Sequence, residues 1–334
     1  MELGCKFSFG CSLARRIFWI SLQWLASAVL CAAQVPNAIQ VMAPHFQTDV
    51  NMVVLTFTVT DGSGKYIANL KPEDLTVSED GIPQKIASFE EGDRPAVQLA
   101  PGAAGIEGTR VFILLDVSDH MYNNYPYVCD AVTDFTRRLD PADSIAIYTF
   151  SRNLWRASPL TTDHNRARFG LINAVAGDDT AIYNALLLTL RDAAKQPGRK
   201  IVILFSNGPD NASMVRPDDV GAVAINEGIP IYIVSTQDAA NDHATMKAFE
   251  FLTTQTGGKL YWARTWQKQA KAFAAIREDM AGSYTVSYYP KPNSNQGFRR
   301  IKIDVRSDAA KKLEVHVRPG YDAHALGWKY KIAH

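Results

Sequence analysis

The sequence predicts an α/β domain, a doubly wound and mostly parallel sheet, that is inserted into an antiparallel β-sandwich-like domain. Two observations predict this fold class. Apolar runs alternate with amphipathic helical stretches between residues 108 and 281, which is typical of a parallel sheet with helices on both faces. Alternating strand patterns lie on both sides of that block, so we expect the two flanking segments to pair with each other.

The central block consists of four strand-like runs and the helical stretches between them. The predicted strands are residues 110–115, 144–150, 200–205 and 229–234. The predicted helices are residues 128–139, 181–194, 217–227, 245–256 and 267–280. Each strand run is almost continuously apolar, which indicates burial on both faces of the sheet.

The flanking segments have the period-two pattern of half-buried strands. Before the block these strands are residues 50–60, 75–78 and 84–89, the last two forming a predicted hairpin around Glu79-Asp80-Gly81. After the block they are residues 284–288, 300–305 and 313–317. The predicted boundaries are therefore 34–107 for the first β half with a Gly/Pro-rich linker, 108–281 for the α/β domain, and 282–334 for the second β half.

The first 33 residues resemble an export signal. Lys6, Arg15 and Arg16 precede an apolar run at residues 17–30, and Cys31-Ala32-Ala33 follows with small side chains. The run is shorter than the roughly 20 residues that a membrane span needs, so an uncleaved anchor is the weaker alternative. We expect cleavage before Gln34, a periplasmic or extracellular protein, and no membrane span after cleavage.

Composition excludes several function classes. The chain has 334 residues, 35 Lys+Arg against 34 Asp+Glu, and a hydrophobic share of 47%, which is the composition of a globular protein. The net charge of +1 gives no electrostatic reason to expect nucleic acid as a partner. Three of the four cysteines lie in the predicted signal, so Cys129 alone remains and an internal disulfide is excluded.

Polar residues follow the predicted strands at the edge where ligands bind to open parallel sheets. Asp116, Ser118 and His120 follow the first strand, and alternate residues of an extended loop point the same way. Thr180 precedes a long apolar helix, and Asn207 follows the third strand. We expect these side chains to converge.

The segments LLDVSDHM, GDDTAIYNAL and KIVILFSNGPDN resemble the von Willebrand factor type A domain. Its metal-ion-dependent adhesion site uses Asp-x-Ser-x-Ser, a loop Thr and a loop Asp. The flanks NLKPEDLTVSEDGIPQKIASF and SYTVSYYPKPNSNQGFRRIKIDVR resemble a secreted, acidobacterial-type family of related proteins. The resemblance implies a protein-binding module in which a cation offers an open position to an acidic side chain of the partner.

The sequence departs from that pattern at two positions. Asp116, Ser118 and Thr180 match the ligand positions, but His120 replaces the second Ser and Asn207 replaces the final Asp. The amide removes one negative charge, which favours a degenerate site without a physiological metal.

Two other interpretations of this site stay open. The first is a weakened Mg²⁺ or Mn²⁺ site in which Asp178 or Asp179 restores a carboxylate. The second is a transition-metal site through the nitrogen of His120. Asp119, Asp178 and Asp179 are candidates for residues that contact the ligands without binding the ion themselves. Asp178 and Asp179 are equally candidates for capping the following helix.

The sequence therefore predicts a non-enzymatic, adhesion-type module that binds another protein and needs no cofactor. Tyr122, Tyr125 and Tyr127 are candidate partner contacts, although such tyrosines also pack helix starts. The chain contains no G-x-S-x-G, H-E-x-x-H or phosphate-loop motif. The alternative function is an envelope scaffold whose β domain makes the contacts.

Overall fold

The computed structural model describes residues 52–92, 94, 97–99, 108–119, 121, 125–173, 176–235, 242–306 and 313–324. All of them fall in one unit, Val50–His334. The predicted signal peptide, His120 and Tyr122 lie outside the described residues.

The secondary structure follows the predicted order of strands, an alternating block, and strands again. The strands are β1 (Val53–Asp61), β2 (Leu75–Glu79), β3 (Ile82–Pro83), β4 (Ile86–Glu91), β5 (Val97–Gln98), β6 (Arg110–Asp116), β7 (Ser144–Phe150), β8 (Leu154–Thr161), β9 (Lys200–Ser206), β10 (Ile231–Ser235), β11 (Leu260–Trp262), β12 (Ser283–Tyr288), β13 (Phe298–Val305), β14 (Leu313–His316) and β15 (Gly320–Asp322). The α-helices are α1 (Tyr125–Arg137), α2 (His164–Phe169), α3 (Ile182–Ala194), α4 (Pro217–Glu227), α5 (His243–Thr256) and α6 (Trp266–Ala281). Short 3₁₀ turns lie at Pro72–Asp74 and Gly170–Asn173.

The alternating block forms a six-stranded sheet in the order β11-β10-β9-β6-β7-β8. Its strands are parallel except β8, which runs antiparallel to β7 at the edge. One apolar core packs this sheet against α1 and α6, and a second core packs the opposite face against α3, α4 and α5. Burial on both faces explains why the strand sequences are almost continuously apolar.

The flanking segments form two antiparallel sheets that share a third apolar core. One sheet has the order β14-β1-β12-β4-β5, and the other has the order β15-β13-β2-β3. Strand β1 pairs with β12, and β2 pairs with β13, so each sheet combines strands from before and after the central block. The predicted fold class is confirmed.

The predicted hairpin between residues 75–78 and 84–89 is wrong. The turn at Asp80 and Gly81 forms, with positive φ at both residues, but it joins β2 only to the two-residue β3. Pro83 has no amide hydrogen with which to extend the ladder. The chain then crosses to the other sheet, where β4 pairs with β12 and places Phe89 in the shared core.

The chain enters and leaves the central block at adjacent points. The Gly92 amide donates to the Ser283 carbonyl at 2.8 Å. The fully buried guanidinium of Arg199 donates to the Gly92 carbonyl at 3.0 Å, and to the Met280 carbonyl and the Ser283 hydroxyl at 2.6 Å each. One side chain of the central block therefore binds both connections to the sandwich.

Within the described residues, no helix combines the length and the apolar character that crossing a membrane requires.

Candidate functional site

Three loops meet at the carboxyl edge of the central sheet and form what we call the strand-end face. It comprises residues 116–119, 177–181 and 206–213. The Asp119 amide donates to the Gly177 carbonyl at 2.8 Å, and the Gly177 amide donates to the Val117 carbonyl at 3.1 Å. The Asn211 amide donates to the Thr180 carbonyl at 3.0 Å. Backbone hydrogen bonds therefore join the middle loop to both of its neighbours.

The loop after β9 also caps the start of α3. The residue preceding this helix is Ala181, which has no capping side chain. The amides of Tyr183 and Asn184 instead donate to the Ser213 hydroxyl at 3.0 Å, and that hydroxyl donates to the Asp210 carboxylate at 2.6 Å. An acidic group at a helix N-terminus is stabilising, and it comes from a distant loop rather than from Asp178 or Asp179.

The Asp116 carboxylate lies at the centre of this face and is 1% exposed. Its Oδ1 accepts the Ser118 amide at 2.9 Å, and its Oδ2 accepts the Ser206 hydroxyl at 2.6 Å. The Ser206 hydroxyl in turn accepts the Gly208 amide at 3.0 Å. Hydrogen bonds to a charged group are short and strong, so this network lets an ionised carboxylate stay buried.

The remaining predicted ligand positions that the structure describes are buried at the same edge. Ser118, Thr180 and Asn207 are 0%, 2% and 1% exposed. The hydroxyl of Ser118 has no hydrogen-bond partner among the described residues. Leaving such a group unsatisfied costs about 1–3 kcal/mol, so this oxygen marks a position that favours a polar ligand.

The acidic residues around the face do not add a second carboxylate to its centre. Asp119 and Asp178 are exposed. Asp179 forms an ion pair with Arg152, with N···O distances of 2.5 and 2.9 Å. In the part of the chain that the structure describes, no group of three or more His, Cys, Asp or Glu side chains is placed to hold a metal.

These residues fit a divalent cation only in part. Mg²⁺ prefers oxygen ligands in octahedral geometry, with one or two carboxylates and several waters. Asp116, Ser118 and Thr180 supply oxygens of the required type, and the Ser118 hydroxyl is available. Asp116 already accepts hydrogen bonds on both oxygens, and Asn207 brings no charge. The described residues therefore supply only part of the ligand set that Mg²⁺ prefers.

The tyrosines near the face differ in their surroundings. The Tyr125 hydroxyl donates to the Leu171 carbonyl at 2.8 Å, and burial raises the pKa of this side chain. Tyr125 therefore packs the start of α1. Tyr127 is 51% exposed and is available for contact.

Sequence reasoning missed Ser206 as a member of the site. The signal that could have identified it is its position, since it ends a buried strand next to the strand that carries Asp116.

Residues 111–209 match the family model of the von Willebrand factor type A domain. This match covers the motif-bearing part of the central block and confirms the resemblance there. The resemblance of the flanks to the acidobacterial-type family stays a prediction. No protein among the curated proteins matches the sequence.

Several solved structures are similar to this chain at low identity. The conserved hypothetical protein BatB from Bacteroides thetaiotaomicron is 17% identical, with a TM-score of 0.44 over 52% of this chain and 98% of that one. A von Willebrand factor type A protein from Catenulispora acidiphila is 12% identical, with a TM-score of 0.46 over 78% of each chain. Proximal thread matrix protein 1 from the mussel byssus, with a zinc-occupied MIDAS motif, is 16% identical, with a TM-score of 0.45 over 52% of this chain and 48% of that one.

Proposed function

We propose that this chain is an exported, non-enzymatic, adhesion-type module that binds another protein through the strand-end face. The observation that carries the proposal is the backbone hydrogen bonding that joins the three loops of this face. A surface that is already ordered loses little conformational entropy when a partner binds. We also propose the domain boundaries 34–107, 108–281 and 282–334, with the signal peptide at 1–33.

The proposed binding does not depend on a divalent cation. Two unit charges about 4 Å apart interact by roughly 4 kcal/mol at an effective dielectric constant of about 20, and a divalent ion about doubles this. The neutral amide of Asn207 loses most of the attraction that a carboxylate at this position would have for the ion. Part of this loss is offset, because no second carboxylate has to be desolvated. The internal hydrogen bonds of Asp116 satisfy the one carboxylate that remains.

A second candidate is a weak Mg²⁺- or Mn²⁺-dependent adhesion site, and the unsatisfied hydroxyl of Ser118 favours it. Asp116, Ser118 and Thr180 would hold the ion. When bound, the ion would supply an open coordination position for an acidic oxygen of the partner. The remaining interpretation, a transition metal at His120, concerns a residue outside the described residues.

Charge reversal on the face tests where the partner binds. The immobilised full-length chain would be incubated with exported proteins of the source organism, with and without EDTA. Asp119→Arg combined with Asp178→Arg changes two exposed side chains of the face. The control is Glu250→Arg, at an exposed position of α5.

We expect the wild type and Glu250→Arg to capture the same partner equally. The double variant should not capture it, and EDTA should not release it. Equal capture by the double variant would contradict the proposed face. Release by EDTA would favour the second candidate over the first.

Cations alone provide the complementary measurement. The chain is treated with EDTA, and its thermal unfolding is followed after adding Mg²⁺, Mn²⁺ or Zn²⁺. A cation at about 100 times its Kd would add roughly 2.7 kcal/mol of stability. We expect no such shift, whereas a shift that disappears in Asp116→Ala would establish the weak-cation site.

A further inference from the structure

A cavity of about 480 Å³ opens beside the strand-end face, at the β7–β8 hairpin. Thr149, Ser151, Asn153 and Trp155 line it, together with Gly170 and Ala176. This volume lies within the range of roughly 300–1,000 Å³ that is typical of small-molecule sites. The proposed protein-binding function uses none of these residues.

The cavity marks the place where the apolar core of the sheet stops. Ile145 and Ile147 of β7 are fully buried in the core beneath α1 and α6. The next residue on that face is Thr149, which lies directly opposite Trp155 in the antiparallel pair. Side chains directly opposite each other share one face of the sheet, so Trp155 and Thr149 leave the sheet side by side on this face. Trp155 is 69% exposed, which leaves much of the indole uncovered.

The residues that line the cavity include three with uncharged polar side chains. Thr149, which carries a hydroxyl, is only 3% exposed and is one of the lining residues. Ser151 and Asn153 add a second hydroxyl and a side-chain amide to the lining residues. Hydroxyl and amide groups both donate and accept, so a ligand that offers both donors and acceptors satisfies them.

Among the described residues that line the cavity, Arg156 is the only charged one, and its guanidinium is already paired. Arg156 donates to the Asp192 carboxylate at 2.6 Å and lies over the Tyr148 ring. An anionic ligand would have to compete with that carboxylate. The cavity therefore favours a neutral ligand.

Two of the lining residues are small. A Cβ atom on Gly170 would lie 2.5 Å from the Ala157 carbonyl oxygen, so the 3₁₀ turn can rest directly on β8 only with glycine here. Ala176, at the start of the loop that leads to the strand-end face, adds one methyl group. The backbone path beside the cavity therefore requires glycine at position 170.

We propose that this cavity binds a neutral sugar residue of a glycan. A pyranose ring has an apolar C–H face that suits an exposed indole, and its hydroxyls both donate and accept hydrogen bonds, as Thr149, Ser151 and Asn153 require. A peptide segment offers one donor and one acceptor per residue along an extended line, which matches this compact group less well. The ring stacks on Trp155, and the three polar side chains bind its hydroxyls.

Glycan binding by the full-length chain tests the proposal. The probes are immobilised neutral oligosaccharides of glucose, galactose, mannose and N-acetylglucosamine, followed by calorimetric titration with the best of them. Trp155→Ala should weaken binding by about 10- to 100-fold, and Thr149→Val, which removes only a hydroxyl, by about 3- to 10-fold. Trp266→Ala, at another exposed tryptophan, should bind as the wild type does.

The double variant Asp119→Arg/Asp178→Arg distinguishes this proposal from the proposed protein binding. It should lose the protein partner but keep full glycan affinity in the presence of EDTA. The absence of wild-type binding to every glycan at about 10 mM would overturn the proposal. Unchanged binding by Trp155→Ala would also overturn it. Binding to immobilised glycine- and proline-containing peptides, lost in Trp155→Ala, would assign the cavity to peptides instead and equally overturn it.

Discussion

Replacing Ser206 with alanine tests the buried hydrogen bond that its hydroxyl donates to the Asp116 carboxylate. Both side chains are almost completely buried, and the O···O distance is 2.6 Å. A hydrogen bond to a charged group contributes about 1.5–3 kcal/mol, and the Gly208 amide loses its acceptor in the same substitution. We expect the free energy of unfolding to fall by about 2–4 kcal/mol, or Tm by roughly 4–10 °C for a unit of this size.

Urea-induced unfolding followed by tryptophan fluorescence measures this loss. Ser235→Ala is the matched control, because its hydroxyl is equally buried and donates to the Ser206 backbone carbonyl at 2.7 Å. That bond is neutral, so its loss should cost about 1 kcal/mol. Equal losses in the two variants would refute the inference that Asp116 is ionised and depends on Ser206.

Three further predictions concern buried charges outside the strand-end face. Arg199→Met should lower the free energy of unfolding by about 2–4 kcal/mol in urea titrations, because the three neutral acceptors that join the sandwich to the central block lose their common donor. Glu79→Gln should lower the free energy of unfolding by about 3 kcal/mol in the same assay. The Arg299 guanidinium, 2.9 Å from the Glu79 carboxylate inside the sandwich, would then face a neutral amide. Asp279→Asn should flatten the pH dependence of stability, because burial raises the pKa of Asp279 to about 7. The contribution of the Asp279 carboxyl group to the free energy of unfolding is full below about pH 4. It is lost as the pH rises to about 7, by at most about 1.4 kcal/mol per pH unit.

Each of these predictions has an opposing outcome. Stability of Arg199→Met or Glu79→Gln within about 0.5 kcal/mol of the wild type would mean that water replaces the lost partner. For Asp279, the comparison is the change in stability between pH 5 and pH 7.5 in the wild type and in Asp279→Asn. A wild type that gains stability relative to the variant as the pH rises would show that the ion pair with Lys259, at 2.5 Å, outweighs burial.

The alternating block could be predicted because its signals are local. Residues 144–150 and 217–227 are predicted and observed with identical bounds. In β13, Ile301 and Ile303 are buried, whereas Lys302 and Asp304 are exposed, as the period of two predicts. In these segments the pattern of apolar residues directly reflects which faces are covered.

The parts that sequence reasoning missed depend on distant neighbours. Strand β8 is an edge strand in which only one of eight residues is buried, and it contains Pro159, so it has neither alternation nor a continuous apolar run. The ion pair between Arg152 and Asp179 joins loops that only the folded sheet brings together. The capping of α3 by Ser213 likewise has no signal in the sequence near the helix.

The adjacent ends of the central block have a consequence for the order of folding. Thr56 and Thr285, which pair across β1 and β12, are 229 residues apart in sequence. Closing a disordered loop between Gly92 and Ser283, roughly 190 residues, carries a length-dependent entropy cost of about 4–5 kcal/mol at 25 °C. Once the central block has folded, Gly92 and Ser283 lie at hydrogen-bond distance. Most of the loop-closure entropy has then been lost before the sandwich strands pair. This entropy cost therefore favours an order in which the pairings β1–β12 and β2–β13 form after the central block has folded.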